Sequence, residues 1–411
     1  MTASASRHNT HQGSMGVRWA VRHRIRILQS LLNRIECGSI EILLPDGQRM
    51  YSRGNAPGPQ GAITVHHPKF LRRLLGEGSL GFGEMYIDGW WTTPDLQGLL
   101  DVIMLNNENM ARHFTGAVPL RLFERLRHYR NANSREGSRR NIAHHYDLGN
   151  AFYEQWLDQT MAYSSALFRN AQESLGEAQQ NKYAAVCDQL ALKTGDHILE
   201  IGCGWGGFAE YAIRERGVRI TGLTLSREQH DFARRRLFDA GLAGSAEILL
   251  SDYRDSRGTF DGVVSIEMIE AVGMKYWPVY FSTLFDRLRP GKIAVIQAIT
   301  IADPLFPKYC TKADFIQKHI FPGGMLPCPT ALREHSRAAG LEKIATRAFA
   351  DSYSRTLREW RCRFNISWSR IAGLGFDNRF NRMWNFYLAA SAAGFAARTT
   401  DVVQVAYRRP A

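Results

Sequence analysis

In the second half of the chain, short apolar runs alternate with stretches of helical periodicity. This is the pattern of a parallel sheet with helices on both faces. Strands are predicted at 197–202, 218–225, 246–252, 260–266, 292–299, 342–349 and 402–408, and helices at 207–216, 227–240 and 276–288. Two long pieces interrupt the alternation after the fifth strand. The first, Asp303 to Arg337, carries Ile320-Phe-Pro-Gly-Gly-Met-Leu-Pro327; the second, Leu357 to Arg398, is helical. Insertions at the carboxyl edge of such a sheet usually build substrate sites. Phe380, Trp384, Leu388, Ser391 and Phe395 share one helical face, which is either core or the wall of an apolar ligand channel.

The first half reads differently. Val17, Val21, Ile25, Leu28, Leu31, Leu32 and Ile35 recur at helical spacing, interleaved with Arg18, Arg22, Arg24, Arg26 and Arg34. Such a basic amphipathic helix either packs on its own domain with its arginines in solvent or lies on a membrane surface. Alternating runs at Ile40–Leu44 and Ile63–His66 flank turn signals at Asp46-Gly47 and Pro57-Gly58,. Helices are predicted around Pro68–Leu75 and at Leu96–Leu105, with Gly81-Phe-Gly-Glu-Met-Tyr-Ile-Asp-Gly-Trp-Trp91 between them. The expected organisation is a disordered start (1–15), a small α+β, membrane-associated domain (16–115), a basic linker (116–140) and a doubly wound α/β domain (141–411).

Composition narrows the class. The 411 residues, 45% hydrophobic and 22% charged, suffice for two or three domains with a sizeable core. A net charge of +13 favours a polyanionic partner, either nucleic acid or an anionic membrane surface. The six cysteines form no CxxC pair, so neither a disulfide framework nor a zinc site is expected, as suits a reducing cytoplasm. The apolar run Leu388–Ala397 is too short to span a bilayer, and the polar N-terminus lacks a signal core.

The candidate chemistry centres on His197-Ile-Leu-Glu200-Ile-Gly202-Cys-Gly204-Trp-Gly206-Gly207-Phe-Ala209. A strand, a glycine turn and a helix in that order let the backbone approach a ligand closely and offer it free N–H groups. A dinucleotide fingerprint has its acid well downstream of the glycines. Here Glu200 precedes them, which resembles the first motif of S-adenosylmethionine (SAM) methyltransferases. At the end of the third strand, Asp252 and Tyr253 stand where they could bond and stack an adenine.

Four further motifs are Asn141-Ile-Ala-His-His145-Tyr-Asp-Leu-Gly-Asn-Ala-Phe-Tyr-Glu-Gln-Trp-Leu-Asp158 with Tyr163-Ser-Ser-Ala-Leu-Phe168, Gly222-Leu-Thr-Leu-Ser-Arg-Glu-Gln229, Met268-Ile-Glu-Ala-Val-Gly273 and Ile320 to Pro327. In this order they resemble the cyclopropane-fatty-acid synthase family, whose close relatives are the mycolic acid methyltransferases. The likeness covers residues 140–408. Gly83 to Trp91 resembles the amino-terminal domain of the phospholipid-modifying members.

The resemblance implies that SAM is held by Tyr163 and Ser164, by the turn from Ile198 through Glu200, Gly202 and Gly204 to Gly206, by Thr224 to Gln229, and by Tyr253 with Arg254. It implies methyl transfer to a cis double bond of an acyl chain, where aromatic faces and carboxylates stabilise the developing cation. It matches Glu270 and Tyr353 to groups that hold a bicarbonate ion, the family's base. Three positions depart: Ser165 replaces a cysteine and Gln297 a histidine at the ion site, and Ser391 replaces a cysteine on the long helix. Glutamine and serine are poor bases, which puts bicarbonate binding and ring closure in doubt; the product is a cyclopropane or a methyl-branched alkene.

The expected partner is a phospholipid bilayer, bound peripherally on its cytoplasmic inner face, and the family suggests a homodimer. No metal site is expected. An amine N-methyltransferase of the same fold and a catalytically altered lipid-binding protein are the competing readings. A nucleic-acid methyltransferase is disfavoured, because Ile266 to Gly273 stands where an Asn/Asp-Pro-Pro-Tyr motif would follow the fourth strand.

Overall fold

In the computed structural model the described residues are 23–107, 148–311 and 313–411. The chain divides into two compact units, Met1–Pro119 and Leu120–Ala411. The linker read at 116–140 and the motif from Asn141 to Asp147 lie outside the described residues, as do Val17, Arg18, Val21 and Arg22.

The first unit holds strands β1 (Cys37–Leu43), β2 (Arg49–Arg53), β3 (Ala56–Val65) and β4 (Trp91–Thr92) in the order β2-β1-β3-β4. Asp46-Gly47 turns the β1–β2 hairpin, with Gly47 at φ 83°. Pro57-Gly58, read as a turn, instead lies inside β3. The parallel β1–β3 register shifts there, between Cys37 and Ser39, and an irregular pairing tolerates prolines that have no N–H to donate. Phe70–Ile87 is two helices broken at Gly78 (φ 64°, ψ −139°): the first matches the one expected around Pro68–Leu75, and the second carries much of the Gly81–Trp91 motif. Residues 23–32 are helical. Leu28, Leu31 and Leu32 on this helix are buried, as is Ile35 just beyond it, and Ser52 Oγ donates to the Leu32 carbonyl at 2.6 Å. The apolar stripe is therefore used within its own unit, and Arg26 is exposed.

The second unit is a seven-stranded sheet: β5 (His197–Ile201), β6 (Arg219–Thr224), β7 (Ala246–Leu250), β8 (Phe260–Ile266), β9 (Leu288–Ile301), β10 (Glu342–Ala348) and β11 (Thr400–Arg408). Their order is β10-β11-β9-β8-β5-β6-β7. The strands from β5 to β9 pair in parallel, and β11 runs against both its neighbours. The expected strands all form, and β9 is longer than its apolar stretch implied. Side chains alternate between two covered faces. Leu199, Val263 and Ala294 join one core with Trp277, Tyr280 and Phe281, while Ile198, Val264 and Val295 join another with Phe208 and Ala209. This is the mixed α/β, Rossmann-like architecture expected, and it has a switch point where helices depart to opposite sides around β5.

Both insertions are largely helical. The second comprises the helices Ala350–Ile366, Trp368–Gly373 and Asn378–Ala396. Trp384, Leu388 and Phe395 of the predicted stripe are buried, and Trp384 packs on Phe152, Trp156 and Phe380 at centroid distances of 5.1, 5.8 and 5.3 Å. That face of the helix is mainly core. Among the described residues no helix is long and apolar enough to cross a membrane.

Candidate active site

The strand β5 ends at the glycine turn, where Gly202, Gly204 and Gly206 all have positive φ (81°, 53° and 81°). The N–H groups of Gly202 and Cys203 both donate to the Leu223 carbonyl at 2.9 Å, pinning the turn to β6. A Cβ built on Gly204 would meet nothing within 4 Å, so the backbone there borders open space. The helix Gly207–Arg216 starts beside it. Together they form one wall of a cavity also lined by Tyr163, Ser164, Glu200, Thr224, Gln229 and Tyr253. Most of the residues predicted to hold the cofactor therefore meet in one place. Gly206 shapes the turn without lining the cavity, and Asp252 and Arg254 line a smaller recess that shares Tyr253.

Several polar groups fit a bound SAM. Glu200 is buried, and its Oε2 has no hydrogen-bond partner; a buried carboxylate oxygen left so is costly unless a ligand completes it. Burial pushes its pKa well up, opposed by the Lys182 charge. Thr224 Oγ1 donates to Gln229 Oε1 at 2.8 Å, which fixes the amide beside the cavity. The Tyr253 hydroxyl is buried and unpartnered. Asp252, read as an adenine acceptor, is oriented by Arg254, which donates to both carboxylate oxygens, at 2.8 and 2.5 Å. The Ser164 hydroxyl accepts from Lys182 Nζ at 2.7 Å, an ammonium that burial brings down to about 8. Tyr163 shares a hydroxyl–hydroxyl bond of 2.9 Å with Tyr387.

The ion-site residues converge, but on a carboxylate that the sequence reading passed over. Glu267, directly after β8, accepts three hydrogen bonds: from Ser165 N at 2.8 Å, from Gln297 Nε2 at 2.7 Å and from the Tyr353 hydroxyl at 2.7 Å. It also lines the cofactor cavity. Glu270, expected in that position, lies within the influence of Glu267 and Tyr353 without bonding the same donors. Its Oε1 accepts from Ile299 N at 2.5 Å, its Oε2 has no partner, and burial with the Glu267 charge pushes its pKa up to about 8. Ser391 makes no hydrogen bond to Glu267, Gln297 or Tyr353; one turn on, Phe395 packs on the Tyr353 ring at 4.4 Å. The signal for Glu267 was present in Ser265-Ile-Glu267-Met-Ile-Glu270, which carries two acids directly after the fourth strand.

A buried amide relay fixes the Gln297 orientation. Gln404 Nε2 donates to Gln297 Oε1 at 3.0 Å, and Gln189 Nε2 donates to Gln404 Oε1 at 2.9 Å. With its oxygen occupied, Gln297 can only donate toward Glu267. Gln297 and Gln404 are cross-strand partners in β9 and β11, so the sheet register sets this relay. The ring of Tyr163, on the cavity wall, lies 5.4 Å from Trp360 and 6.2 Å from Phe321. Phe321 belongs to the first insertion, which Met325 N ties to the Glu270 carbonyl at 2.8 Å.

Residues 133–405 match the family model described as mycolic acid cyclopropane synthetase. The tuberculostearic acid methyltransferase UfaA1 of Mycobacterium tuberculosis is 40% identical, the match covering 86% of either chain. The cyclopropane-fatty-acyl-phospholipid synthase of Escherichia coli is 36% identical over 87% of this chain and 89% of its own. Among solved structures, the mycolic acid cyclopropane synthase CmaA1 in complex with SAH and CTAB superposes with a TM-score of 0.62 at 27% identity, over 66% of this chain and 97% of that one.

Proposed function

The chain belongs to the mycolic acid cyclopropane synthetase family, and we propose that it methylates a cis double bond in an acyl chain of membrane phospholipid and closes a cyclopropane ring. It is a SAM-dependent methyltransferase of lipid modification; what finer reaction it performs is our reading. SAM supplies a methyl carbon activated by positively charged sulfur. Glu200, the glycine turn, Thr224, Gln229 and Tyr253 would hold it. The aromatic ring of Tyr163, which lines the cavity, offers its face to the cation that develops on the acyl chain.

The observation that carries the cyclopropane reading is a carboxylate, Glu267, on the wall of the cofactor cavity, where it can take a proton from the newly transferred methyl group. A methyl-branched product is the second reading, favoured by the 40% identity to a tuberculostearic acid methyltransferase. Incubation with methyl-labelled SAM and vesicles of cis-monounsaturated phosphatidylglycerol, then mass spectrometry of the released fatty acids, decides between them. A saturated ring bearing the label is expected. An intact alkene carrying a branch overturns the cyclopropane reading, and unlabelled lipid overturns the whole proposal.

Binding of SAM should release protons. The buried Glu200 carboxyl sits well above its ordinary range, and a cation arriving beside it favours its ionised form. Affinity then rises with pH through that raised value and levels above it, by at most about tenfold per pH unit for a single proton. Titration calorimetry in buffers of different ionisation enthalpy measures the release directly. Equal apparent enthalpies and a pH-independent Kd would rule it out.

We further propose that the enzyme works as a peripheral protein on the inner membrane face, its N-terminal unit meeting the bilayer, and as a homodimer. The net charge of +13 supports attraction to anionic headgroups, at roughly 1 kcal/mol for each Lys or Arg close to the surface. Sedimentation with phosphatidylglycerol vesicles should fall as salt is raised, since screening shortens the reach of these charges. Binding indifferent to salt would refute the electrostatic account.

A further inference from the structure

We propose that Glu267 is the built-in base of this enzyme: its carboxylate takes the place that an exogenous bicarbonate ion would fill, so turnover needs no added anion. The proposal rests on the cyclopropane reading above and names the group that performs its last step.

The geometry argues for this in three ways. First, an anion site is defined by its donors. Ser165 N, Gln297 Nε2 and the Tyr353 hydroxyl point at one locus from three elements, and the Glu267 carboxylate occupies it at 2.7–2.8 Å from each. Charge-assisted bonds of this length are strong. A second anion would have to displace Glu267 and share the space with Glu270, whose own carboxyl already responds to the Glu267 charge.

Second, the backbone is bent to place this side chain. Glu267 has φ 49°, a left-handed conformation costing a non-glycine residue roughly 1–2 kcal/mol. Its N–H nevertheless donates to the Gln297 carbonyl at 2.8 Å, so the residue is held in place by the same strand that orients its amide donor. Strain of this kind persists where the surroundings enforce it, commonly at functional sites.

Third, the position suits proton removal. Glu267 lines the cavity together with Glu200 and Gly202. Burial raises its pKa, while Tyr353, Gln297, Ser165 and the Lys182 charge oppose that rise. The result is a stronger base than an ordinary surface carboxylate that is still stabilised when ionised.

The step balances. With the methyl group bonded to one former alkene carbon and positive charge on the other, Glu267 accepts a proton from that methyl group. The C–H electron pair becomes the second ring bond and discharges the cation. The resulting carboxylic acid returns its proton to water before the next turnover.

The test uses the full-length enzyme, bicarbonate-free buffers, methyl-labelled SAM and monounsaturated phosphatidylglycerol vesicles. Wild type should form labelled ring product at the same rate with or without added bicarbonate. Both Glu267→Gln and Glu267→Gly should lose about 100-fold or more in ring formation, within the range for a positioned general base, while binding SAM as wild type does. Glycine accepts the positive φ and vacates the donors, so bicarbonate should restore part of the Glu267→Gly activity but none of the Glu267→Gln activity. Without SAM, 13C-labelled bicarbonate should bind Glu267→Gly and not wild type by NMR line broadening. A wild type that depends on bicarbonate overturns the assignment, as do variants that keep pace with an active wild type. A wild type that labels no lipid overturns the functional reading first, and the base assignment falls with it.

Discussion

Gly206→Val is expected to lower the stability of the second unit by about 2–5 kcal/mol and to remove measurable SAM binding. Two costs combine. Gly206 has φ 81°, where a β-branched residue is strained by roughly 1–3 kcal/mol. A Cβ there would also lie 3.1 Å from Ala233 Cβ and 3.3 Å from Ala233 Cα, and Ala233 is fully buried in the helix Arg227–Asp239. Relief means moving that helix or the turn, and overpacking of this kind costs about 1–3 kcal/mol. Gly204→Ala is the informative contrast. It has φ 53° and open space around its Cβ, so its folding penalty should stay near the roughly 1–2 kcal/mol of a left-handed alanine. Its methyl group nevertheless intrudes on the cavity, so affinity should fall more than stability does. Denaturant midpoints beside SAM titrations separate the two effects. Equal midpoints for wild type and Gly206→Val would refute the packing argument.

Gln404→Leu is expected to cut turnover by about 10–100-fold with SAM affinity unchanged, on the scale at which small misplacements of reacting groups are felt. Gln404 is fully buried and touches neither the cavity nor Glu267, so it acts as a positioning residue. Leucine leaves the buried Gln297 Oε1 without its donor, at about 1–3 kcal/mol, and reduces Gln189 Nε2 to its bond with the Ala185 carbonyl. The Gln297 amide can then rotate and present its oxygen to Glu267. The pH profile distinguishes misplacement from general loosening. The Gln297 donor lowers the Glu267 pKa, so its loss raises that pKa, and the acid limb of kcat should move to higher pH. The other groups bearing on Glu267 (Tyr353, the Ser165 N–H and Lys182) are unchanged in the variant. A lower kcat with an unmoved acid limb would mean that Gln404 is merely structural.

These predictions also mark which parts of the molecule were legible in the sequence. The second-unit sheet was readable because each buried strand is a compact apolar run bounded by polar turns. His197–Ile201 and Phe260–Ile266 follow their hydrophobic stretches almost residue for residue. The glycine turn was readable because only glycine tolerates that succession of positive φ angles. Pro57-Gly58 misled because a pairing irregularity and a turn use the same residues. In the site, position along the chain located Glu270, Tyr353, Ser165 and Gln297, but the direction in which a side chain leaves the backbone is not a sequence property. Glu267 and Glu270 both follow β8, and the left-handed conformation of Glu267 helps to set which of them meets Tyr353. Gln404 was invisible for a related reason: a glutamine in the last strand acquires meaning only through its register opposite Gln297.

That register has a consequence for synthesis. The residues lining the cofactor cavity, from Thr160 to Ala271, leave the ribosome well before the strand β11 that orients Gln297. The antiparallel β9–β11 pairing must close before the Gln297 side chain is set, so the amide that meets Glu267 is oriented only after β11 has been made.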